Sequence, residues 1–311
     1  GATTSKVHTA VKIEPHYNFP VVHVNDASRS VPVVSSLLSK ELRDSFIEQI
    51  RSENERTREY HKADRAQAKF LSLTEAQKNK FIISKQKGSK PNFIGVKVFE
   101  DFDVKELIEF IDWTPFFISW EMKGSYPKLL KDPVRGIEAQ KLFDDAQAML
   151  KQLVAEKWLC AKAVVGIFPA LSDGDDIEVY DQTGKEKIAT FHTLRQQSQK
   201  ADNFKNVALA DFINSKQESN GDMDYIGAFA VSTGFGIEKW IKKFEKEHDD
   251  YSSIMLKALA DRLAEAFAEL MHKKVRTEIW GYAKDENLTT QEIIKEKYRG
   301  IRPAPGYPAQ P

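Results

Sequence analysis

Hydrophobic positions return every three or four residues in two long stretches, which is the period of an amphipathic helix. One stretch covers residues 134–158, and the other runs from Tyr251 to Tyr282. Just before the second, Asp249 and Asp250 stand where acidic side chains cap and stabilise a helix N-terminus. The positions predicted to face the core from this long helix are Met255, Leu256, Leu259, Leu263, Ala266, Phe267 and Leu270. We therefore expect a long helix with one side packed against the core of a domain.

Four shorter apolar runs have the length and residue content of strands. They are Ala163–Phe168, Asp176–Tyr180, Lys187–His192 and Tyr225–Ser232. The runs are short, and their connections suit antiparallel pairing. We predict an α+β fold in which helices flank one curved, mostly antiparallel sheet, and not a doubly wound parallel sheet.

The N-terminal part of the chain has a different pattern. Residues 1–39 contain helical segments around a short strand-like run at Val21–Val24, the order found at the end of an α/β unit. Residues 40–67 are dense in Glu, Arg, Lys and Gln, which is typical of a solvent-exposed helix. We predict three parts, namely an α/β fragment at 1–39, a charged helical linker at 40–92 and a compact domain at 93–311.

Composition narrows the possible functions. The charges balance, with 46 Lys and Arg against 46 Asp and Glu, so nothing indicates binding to nucleic acid or to an anionic membrane. The single cysteine, Cys160, excludes an internal disulfide and a cysteine-rich metal site. The longest apolar run, Ala163–Leu171, is far shorter than the ~20 residues of a membrane span. We expect a cytoplasmic monomer with no metal of its own.

Two short motifs begin like ligand sites but are better explained as turns. The run Asp173-Gly-Asp-Asp176 lacks the spacing and the closing Glu of a calcium loop. Gly234 and Gly236 begin a dinucleotide fingerprint, but Lys239 stands where the third glycine belongs. We predict a solvated turn and a strand-to-helix turn, and an NAD(P)-dependent oxidoreductase is the weakest of the functions considered.

The C-terminal segment, residues 300–311, is conformationally restricted. Three of its prolines, Pro303, Pro305 and Pro308, lie close to Arg302 and Tyr307. Each proline fixes its own φ and favours an extended conformation for the residue before it. The segment therefore presents Arg302 and Tyr307 on a stiff backbone, which suits the recognition of a small polar ligand because little entropy is lost on binding. From the residues alone, an ordered C-terminal tail explains the segment equally well.

A resemblance favours the ligand site. The run Arg302-Pro-Ala-Pro-Gly-Tyr-Pro308 resembles the S-adenosylmethionine-binding motif of the activation domain of cobalamin-dependent methionine synthase. Three further stretches, in the order of that family, are Phe110–Phe117, Asp249–Met255 and Lys257–Glu269. Together the matching stretches span most of the chain.

The resemblance implies a function in repair of a cofactor. The family's enzyme transfers a methyl group from 5-methyltetrahydrofolate to homocysteine, and its activation domain binds S-adenosylmethionine to support reductive remethylation of oxidised cobalamin. The implied partners are the cobalamin-binding module of the same chain and a flavodoxin-type or flavoprotein electron donor. Cobalamin and zinc belong to the full-length enzyme, together with the folate and homocysteine sites. The alternative is an interaction module that docks the electron donor or the cobalamin module.

The resemblance also implies the residues of the site. The S-adenosylmethionine contacts would be Asp112, Glu265, Glu296, Arg302, Pro303, Ala304 and Tyr307. Arg302 would bind the ligand carboxylate, since a guanidinium and a carboxylate form paired hydrogen bonds. The acidic residues would face the ammonium and sulfonium groups, while Tyr307 and backbone carbonyls would face the ribose and adenine. We find no Ser, Cys or His arrangement of a nucleophilic enzyme, and none is required.

Local pattern adds an expectation for two acidic positions. Because Pro115 disfavours helix at Thr114, Asp112 should lie at a helix exit among aromatic residues. On the long helix, Asp261 lies with Glu265 and His272 on the face opposite the core. That face is plain solvent surface by spacing alone, whereas the resemblance implies that Asp261 docks the cobalamin module.

Both ends of the chain differ from the family pattern. Gly1 matches the second glycine of a Gly-Gly pair in the cobalamin-binding module, so residues 1–39 are predicted to be the remnant of that module. The Asp-x-His-x-x-Gly motif that supplies its cobalt ligand does not occur, and we expect this remnant not to hold cobalamin. The family continues well beyond the Gly-Tyr-Pro motif, so we also expect a C-terminally truncated site.

Overall fold

The computed structural model divides into two compact units. The described residues are 4–24, 30–67, 69–83, 89–201, 203–219 and 221–304, without the side chains of 63–67. One unit is Gly1–Asn79 with Gln196–Asn206, and the other is Lys80–Arg195 with Val207–Pro311. The boundaries predicted after residues 39 and 92 stay predictions, because the division by contacts does not test the origin of each segment.

The smaller unit is helical. Its α-helices are α1 (Lys6–His8), α2 (Ser30–Leu38), α3 (Arg43–Gln67) and α4 (Leu73–Lys78), with a π-helix at Thr9–Ile13 and a 3-10 helix at Glu14–His16. The charged helix expected within 40–67 is thus confirmed as α3. The strand expected at Val21–Val24 is wrong, because this run pairs with no strand among the described residues. Instead, the Asn54 side chain of α3 donates a hydrogen bond of 3.2 Å to the carbonyl of Val21.

The larger unit contains a five-stranded sheet. Its strands are β1 (Gly95–Phe102), β2 (Cys160–Asp173), β3 (Asp176–Tyr180), β4 (Lys187–His192) and β5 (Asp224–Phe235). All pairings are antiparallel. The central strand β2 pairs along one edge with β5, and its other edge is shared by β1 and β3. The sheet does not close, and the predicted α+β fold with an antiparallel sheet and flanking helices is confirmed.

Strand β1 lies at the start of the predicted compact domain, where the sequence pattern indicates no strand. Its side chains Val96 and Val98 are more than half exposed, at 54% and 57%. The strand therefore lacks the alternation of buried and exposed positions by which strands are recognised. Its pairing with β2 depends on backbone hydrogen bonds to residues about 70 positions away, which the local pattern does not contain.

Helices cover one face of the sheet and form the core with it. They are α5 (Trp113–Ser119), α6 (Gly136–Ala155), α7 (Ile237–Lys246), α8 (Asp250–Lys274) and α9 (Thr290–Ile294), with 3-10 turns at Val104–Phe110, Lys128–Lys131 and Leu209–Phe212. The long helix α8 packs against β5 and against the turn at Val104–Phe110. All the positions predicted to face the core from α8 are buried, and the rings of Phe267 and Phe102 lie 4.7 Å apart.

The two ends of α8 differ from each other. At its start, the Asp249 side chain accepts a hydrogen bond of 2.9 Å from the backbone N–H of Ser252, as its capping position predicts. At its end, the α-helix stops at Lys274 and continues as a π-helix over Val275–Ile279. Regular helix therefore ends before the predicted Tyr282. Wider turns of this kind often occur near functional sites.

Candidate functional site

The candidate site lies where the C-terminal segment returns to α8. Helix α9 begins with a capping box, in which Thr289 and Glu292 exchange side chain–backbone hydrogen bonds. It ends at Ile294, and the chain then turns through two left-handed positions, Glu296 at φ 56° and Gly300 at φ 103°. The turns bring the chain to Arg302, whose side chain reaches α8.

Arg302 forms an ion pair with Glu269 of α8. Its Nη2 donates to Oε1 of Glu269 at 2.5 Å, and the two side chains are 23% and 18% exposed. The pair leaves two buried polar atoms, Nη1 of Arg302 and Oε2 of Glu269, without a hydrogen-bond partner among the described residues. Buried polar atoms are almost always hydrogen-bonded, so such a pair of atoms requires an explanation. The guanidinium is thus neither free in solvent nor fully used by the protein.

A second ion pair fastens the chain segment before Arg302. Arg276 is fully buried, and its Nε and Nη2 donate to the two carboxylate oxygens of Glu286 at 2.8 and 2.6 Å. The Arg276 guanidinium also lies 4.1 Å from the centre of the Tyr298 ring. Both contacts join the end of α8 to residues that precede Arg302, and they fix the approach of the C-terminal segment.

The helical spacing predicts that His272 lies on the face of α8 opposite the core, but the structure buries it. It is 5% exposed, and its ring meets the edge of Tyr298 at 4.6 Å. The expectation is wrong because the returning segment covers this side of α8. Burial, with smaller contributions from the charges of Arg276 and Arg302, lowers the pKa of His272 from 6.5 to about 3. The imidazole is therefore neutral between two arginines.

Asp112 is the N-cap of a second helix, α5, as well as the residue that follows a first one. The 3-10 turn at Val104–Phe110 precedes it, and α5 begins directly after it. Its Oδ1 accepts a hydrogen bond of 3.0 Å from the backbone N–H of Thr114. The expectation of a helix exit missed α5 because Pro115 falls in the first helical turn, where a proline needs no N–H partner. The Asp112 side chain is half-buried.

The residues just before Asp112 lie beside the C-terminal part of α8. The ammonium of Lys273 lies 5.5 Å from the centre of the Phe110 ring, two residues before Asp112. Helix α5 also packs against α8. Phe110, two residues before Asp112, therefore lies beside the C-terminal end of α8.

The remaining predicted residues are exposed or lie outside the described residues. Asp261 and Glu265 lie one turn apart on the outer face of α8, as their spacing predicts. Glu296, Pro303 and Ala304 are also exposed. Tyr307 and Gly1 lie outside the described residues. The assignment of all these residues to a ligand or to a docking partner stays a prediction.

Sequence reasoning missed Glu269 and Arg276. Glu269 lies within a stretch that carries the family resemblance, and it follows Glu265 by one helical turn. That spacing places both carboxylates on related faces of α8, but it does not show that one of them meets Arg302. Arg276 lies in a predicted helix in which a charged residue indicates exposure rather than burial.

Other candidate sites in the described part of the chain have a weaker chemical basis. A cleft of about 560 Å³ lies near the end of β2, lined by residues that include Phe81, Ser172, Asn214 and Tyr225, and it contains none of the predicted ligand contacts. The described residues contain no group of three or more His, Cys, Asp or Glu side chains placed to hold a metal ion. Within the same ranges, no helix has the length and apolar character needed to cross a membrane.

Both glycine-containing motifs are turns, as predicted. Gly174 and Asp175 connect β2 to β3. Gly236 joins β5 to α7 at φ 94°, and an added Cβ would lie 3.0 Å from the carbonyl oxygen of Trp158. Backbone conformation and close packing explain the glycine at this position, so it gives no support to a dinucleotide site.

Comparisons with known proteins give the same family as the resemblance of the C-terminal motif. A family model described as "Vitamin B12 dependent methionine synthase, activation domain" matches residues 103–311. A similar solved structure is described as "Crystal Structure of the MetH Reactivation Domain bound to AdoHcy". It is 49% identical to this chain and has a TM-score of 0.73, and the match covers 78% of this chain and 74% of that one.

Proposed function

Because this chain belongs to the activation-domain family of vitamin B12-dependent methionine synthase, we propose that it binds S-adenosylmethionine through Arg302 and the residues around it. The family predicted from the C-terminal motif is confirmed, and the enzyme to which such domains belong is a methyltransferase. The similar solved structure has AdoHcy bound, which is the product left when S-adenosylmethionine gives up its methyl group. This likeness supports a ligand of the same class here.

The proposal rests on the hydrogen bonding of the Arg302 guanidinium. Glu269 holds one nitrogen of its guanidinium, while Nη1 is buried and has no hydrogen-bond partner in the part of the chain that the structure describes. A ligand carboxylate that accepts from Nη1 would supply the missing hydrogen bond in a partly desolvated setting, where charge-assisted bonds are strong. Pro303 restricts the backbone beside Arg302, so the guanidinium starts from a limited set of positions.

The positive groups of the ligand require acidic neighbours. We assign the ammonium and sulfonium to Asp112, Glu265 and Glu296, whose carboxylates have the complementary charge. Pro303 and Ala304 offer backbone carbonyls to the ribose and adenine, and Tyr307 offers a phenol. Asp112 is half-buried, and Phe110 two residues before it contacts Lys273 of α8, which supports its assignment.

In this reaction the chain binds and orients the ligand, and none of its own groups reacts with it. Cobalamin held by another module, reduced by an electron from a flavodoxin-type or flavoprotein donor, supplies the nucleophile that takes the methyl group. Residues of this domain hold the methyl-bearing sulfonium in place and leave the methyl accessible. A general base or nucleophile from this chain is therefore not needed.

Docking of the cobalamin module is the second part of the proposal. Asp261 is exposed on α8 one turn before Glu265, so a partner that contacts Asp261 would lie beside the ligand. In this arrangement Glu265 serves the ligand and Asp261 serves the partner. Docking of an electron donor stays an alternative that uses the same outer surface.

Titration calorimetry with S-adenosylmethionine tests the ligand site. Arg302→Ala should weaken binding at least tenfold, because a hydrogen bond to a charged group contributes roughly 1.5–3 kcal/mol. Arg299→Ala is the matched control, since Arg299 is exposed and its guanidinium lies 5.8 Å from the ring of Tyr282. Equal affinities for the two variants, or no binding by the unaltered chain, would contradict the proposal.

A further inference from the structure

The pairing of Arg302 with Glu269 has a specific geometry. The contact joins Nη2 to Oε1 at 2.5 Å, whereas an arginine and a carboxylate commonly share two parallel hydrogen bonds. Here the second donor, Nη1, and the second acceptor, Oε2, are both buried, and neither has a hydrogen-bond partner within the described ranges. The guanidinium is therefore held at one corner, and its other terminal nitrogen remains available.

Among the charged groups near Arg302, Glu269 is the carboxylate that pairs with it. The guanidinium of Arg276 is held through Nε and Nη2 by both carboxylate oxygens of Glu286 and lies against the Tyr298 ring. Its Nη1 is buried and has no hydrogen-bond partner among the described residues. His272 of α8 feels the charges of both arginines, and its buried Nδ1 has no hydrogen-bond partner among the described residues. Glu269 is thus the carboxylate that fixes Arg302 in the described part of the domain.

We propose that Glu269 is the positioning residue for Arg302, which it orients so that the unpartnered Nη1 faces the carboxylate of the ligand. This inference rests on the proposed function, because it requires Arg302 to bind that carboxylate. Glu269 touches no part of the ligand in this account and acts only through the guanidinium.

The physical basis is preorganisation. A free arginine side chain has many rotamers, and binding must select one of them. Glu269 makes this selection before the ligand arrives, and the rigid helix α8 holds the carboxylate in place. Without its negative charge, the half-buried guanidinium has no fixed partner and turns towards solvent.

The test is a double-mutant cycle read with two ligands. S-adenosylhomocysteine has the amino-acid carboxylate, and 5′-methylthioadenosine retains the nucleoside and the sulfur but lacks that carboxylate. Glu269→Gln should weaken S-adenosylhomocysteine binding about tenfold and leave 5′-methylthioadenosine binding unchanged. In the Arg302→Ala background, Glu269→Gln should have no further effect, because the residue acts through the missing guanidinium.

Two additional variants keep the test decisive. Glu278→Gln is the control, because this exposed glutamate lies near the end of α8 and pairs only at 3.8 Å with Lys274. Glu269→Asp retains the charge with a shorter reach, and it should cause a smaller loss for S-adenosylhomocysteine alone. It serves as the test if Glu269→Gln fails to fold.

The outcomes separate the inference from the proposed function. If Arg302→Ala binds S-adenosylhomocysteine like the unaltered chain, the carboxylate site itself is wrong. If Arg302→Ala weakens binding but Glu269→Gln does not, or tightens it, the positioning role is overturned and the carboxylate site stands. Equal losses for both ligands would show a general structural role for Glu269 and would also overturn the inference.

Discussion

His272 is the residue whose protonation the fold restricts most clearly. Burial and two nearby arginines lower its pKa from 6.5 to about 3. At a pH between these two pKa values, His272 binds a proton in the unfolded chain but not in the folded chain. The free energy of unfolding therefore decreases as the pH falls from about 6.5 towards about 3, and this loss is absent above the unfolded pKa.

The corresponding prediction concerns His272→Phe. The variant retains a ring against Tyr298 and removes the titrating group, so acidification from about pH 7 to about pH 5 should destabilise it by about 1–2 kcal/mol less than the unaltered chain. Urea unfolding at both pH values measures the difference. His192→Gln removes an exposed histidine and is the control. Identical pH dependence for His272→Phe and the unaltered chain would show that His272 does not account for the acid sensitivity.

Two acidic residues on the outer face of α8 form a matched pair. Asp261 and Glu265 are both exposed and lie one turn apart, but only Glu265 is assigned to the ligand. Glu265→Gln should lower S-adenosylmethionine affinity several-fold, while Asp261→Asn should leave it nearly unchanged and slow reactivation in the full-length enzyme. Removing either charge relieves a like-charge pair that costs roughly 0.2–0.5 kcal/mol, so neither variant should lose stability.

Calorimetry on both variants, with reactivation rates for the full-length Asp261 variant, measures these effects. If both residues give unaltered values throughout, this face of α8 is ordinary solvent surface. If Asp261→Asn lowers the affinity as much as Glu265→Gln, the division of roles between ligand and partner is wrong.

At the scale of elements, the end of α8 depends on one buried ion pair. Arg276 is fully buried and Glu286 is 7% exposed, so removal of either partner leaves an uncompensated charge in the interior. Arg276→Met should destabilise the protein by roughly 3–5 kcal/mol. The double variant Arg276→Met with Glu286→Leu should lose less than the single variant, because it leaves no unpaired charge.

Urea unfolding measures both variants, and Glu100→Gln in the exposed pair with Lys162 should change stability little. An additive loss in the double variant would contradict the account, because it would show that the two side chains stabilise the fold independently. The same pair links α8 to the segment that leads to Arg302, so Arg276→Met should also weaken ligand binding.

The long helix α8 and the short strands β3 and β4 were predictable from the local pattern, whereas β1 and α5 were not. Helix α8 repeats its apolar positions over many turns, so its core face follows from the sequence. Strand β1 exposes Val96 and Val98 and gains its structure from β2, which no local pattern contains. Helix α5 was hidden by Pro115, since a proline in the first turn and one that breaks a helix have the same local pattern.

At the scale of the whole molecule, the candidate site is assembled from distant segments. The C-terminal motif and the family were evident in the sequence, but the Arg302–Glu269 pair spans 33 residues. The burial of His272 and Arg276 likewise depends on the return of residues 286–302 to α8. Such contacts follow from the tertiary fold, which is why they were missed although Glu269 and His272 lie in the correctly predicted helix α8.

The central claim is that the amino-acid end of S-adenosylmethionine binds at Arg302. A crystal structure of this chain with S-adenosylhomocysteine tests it most directly. We predict density for the ligand with its carboxylate within hydrogen-bond distance of Nη1 of Arg302, and with Nη2 still paired to Glu269. Ligand density that leaves Arg302 without a carboxylate contact, or that lies away from α8, would contradict the account.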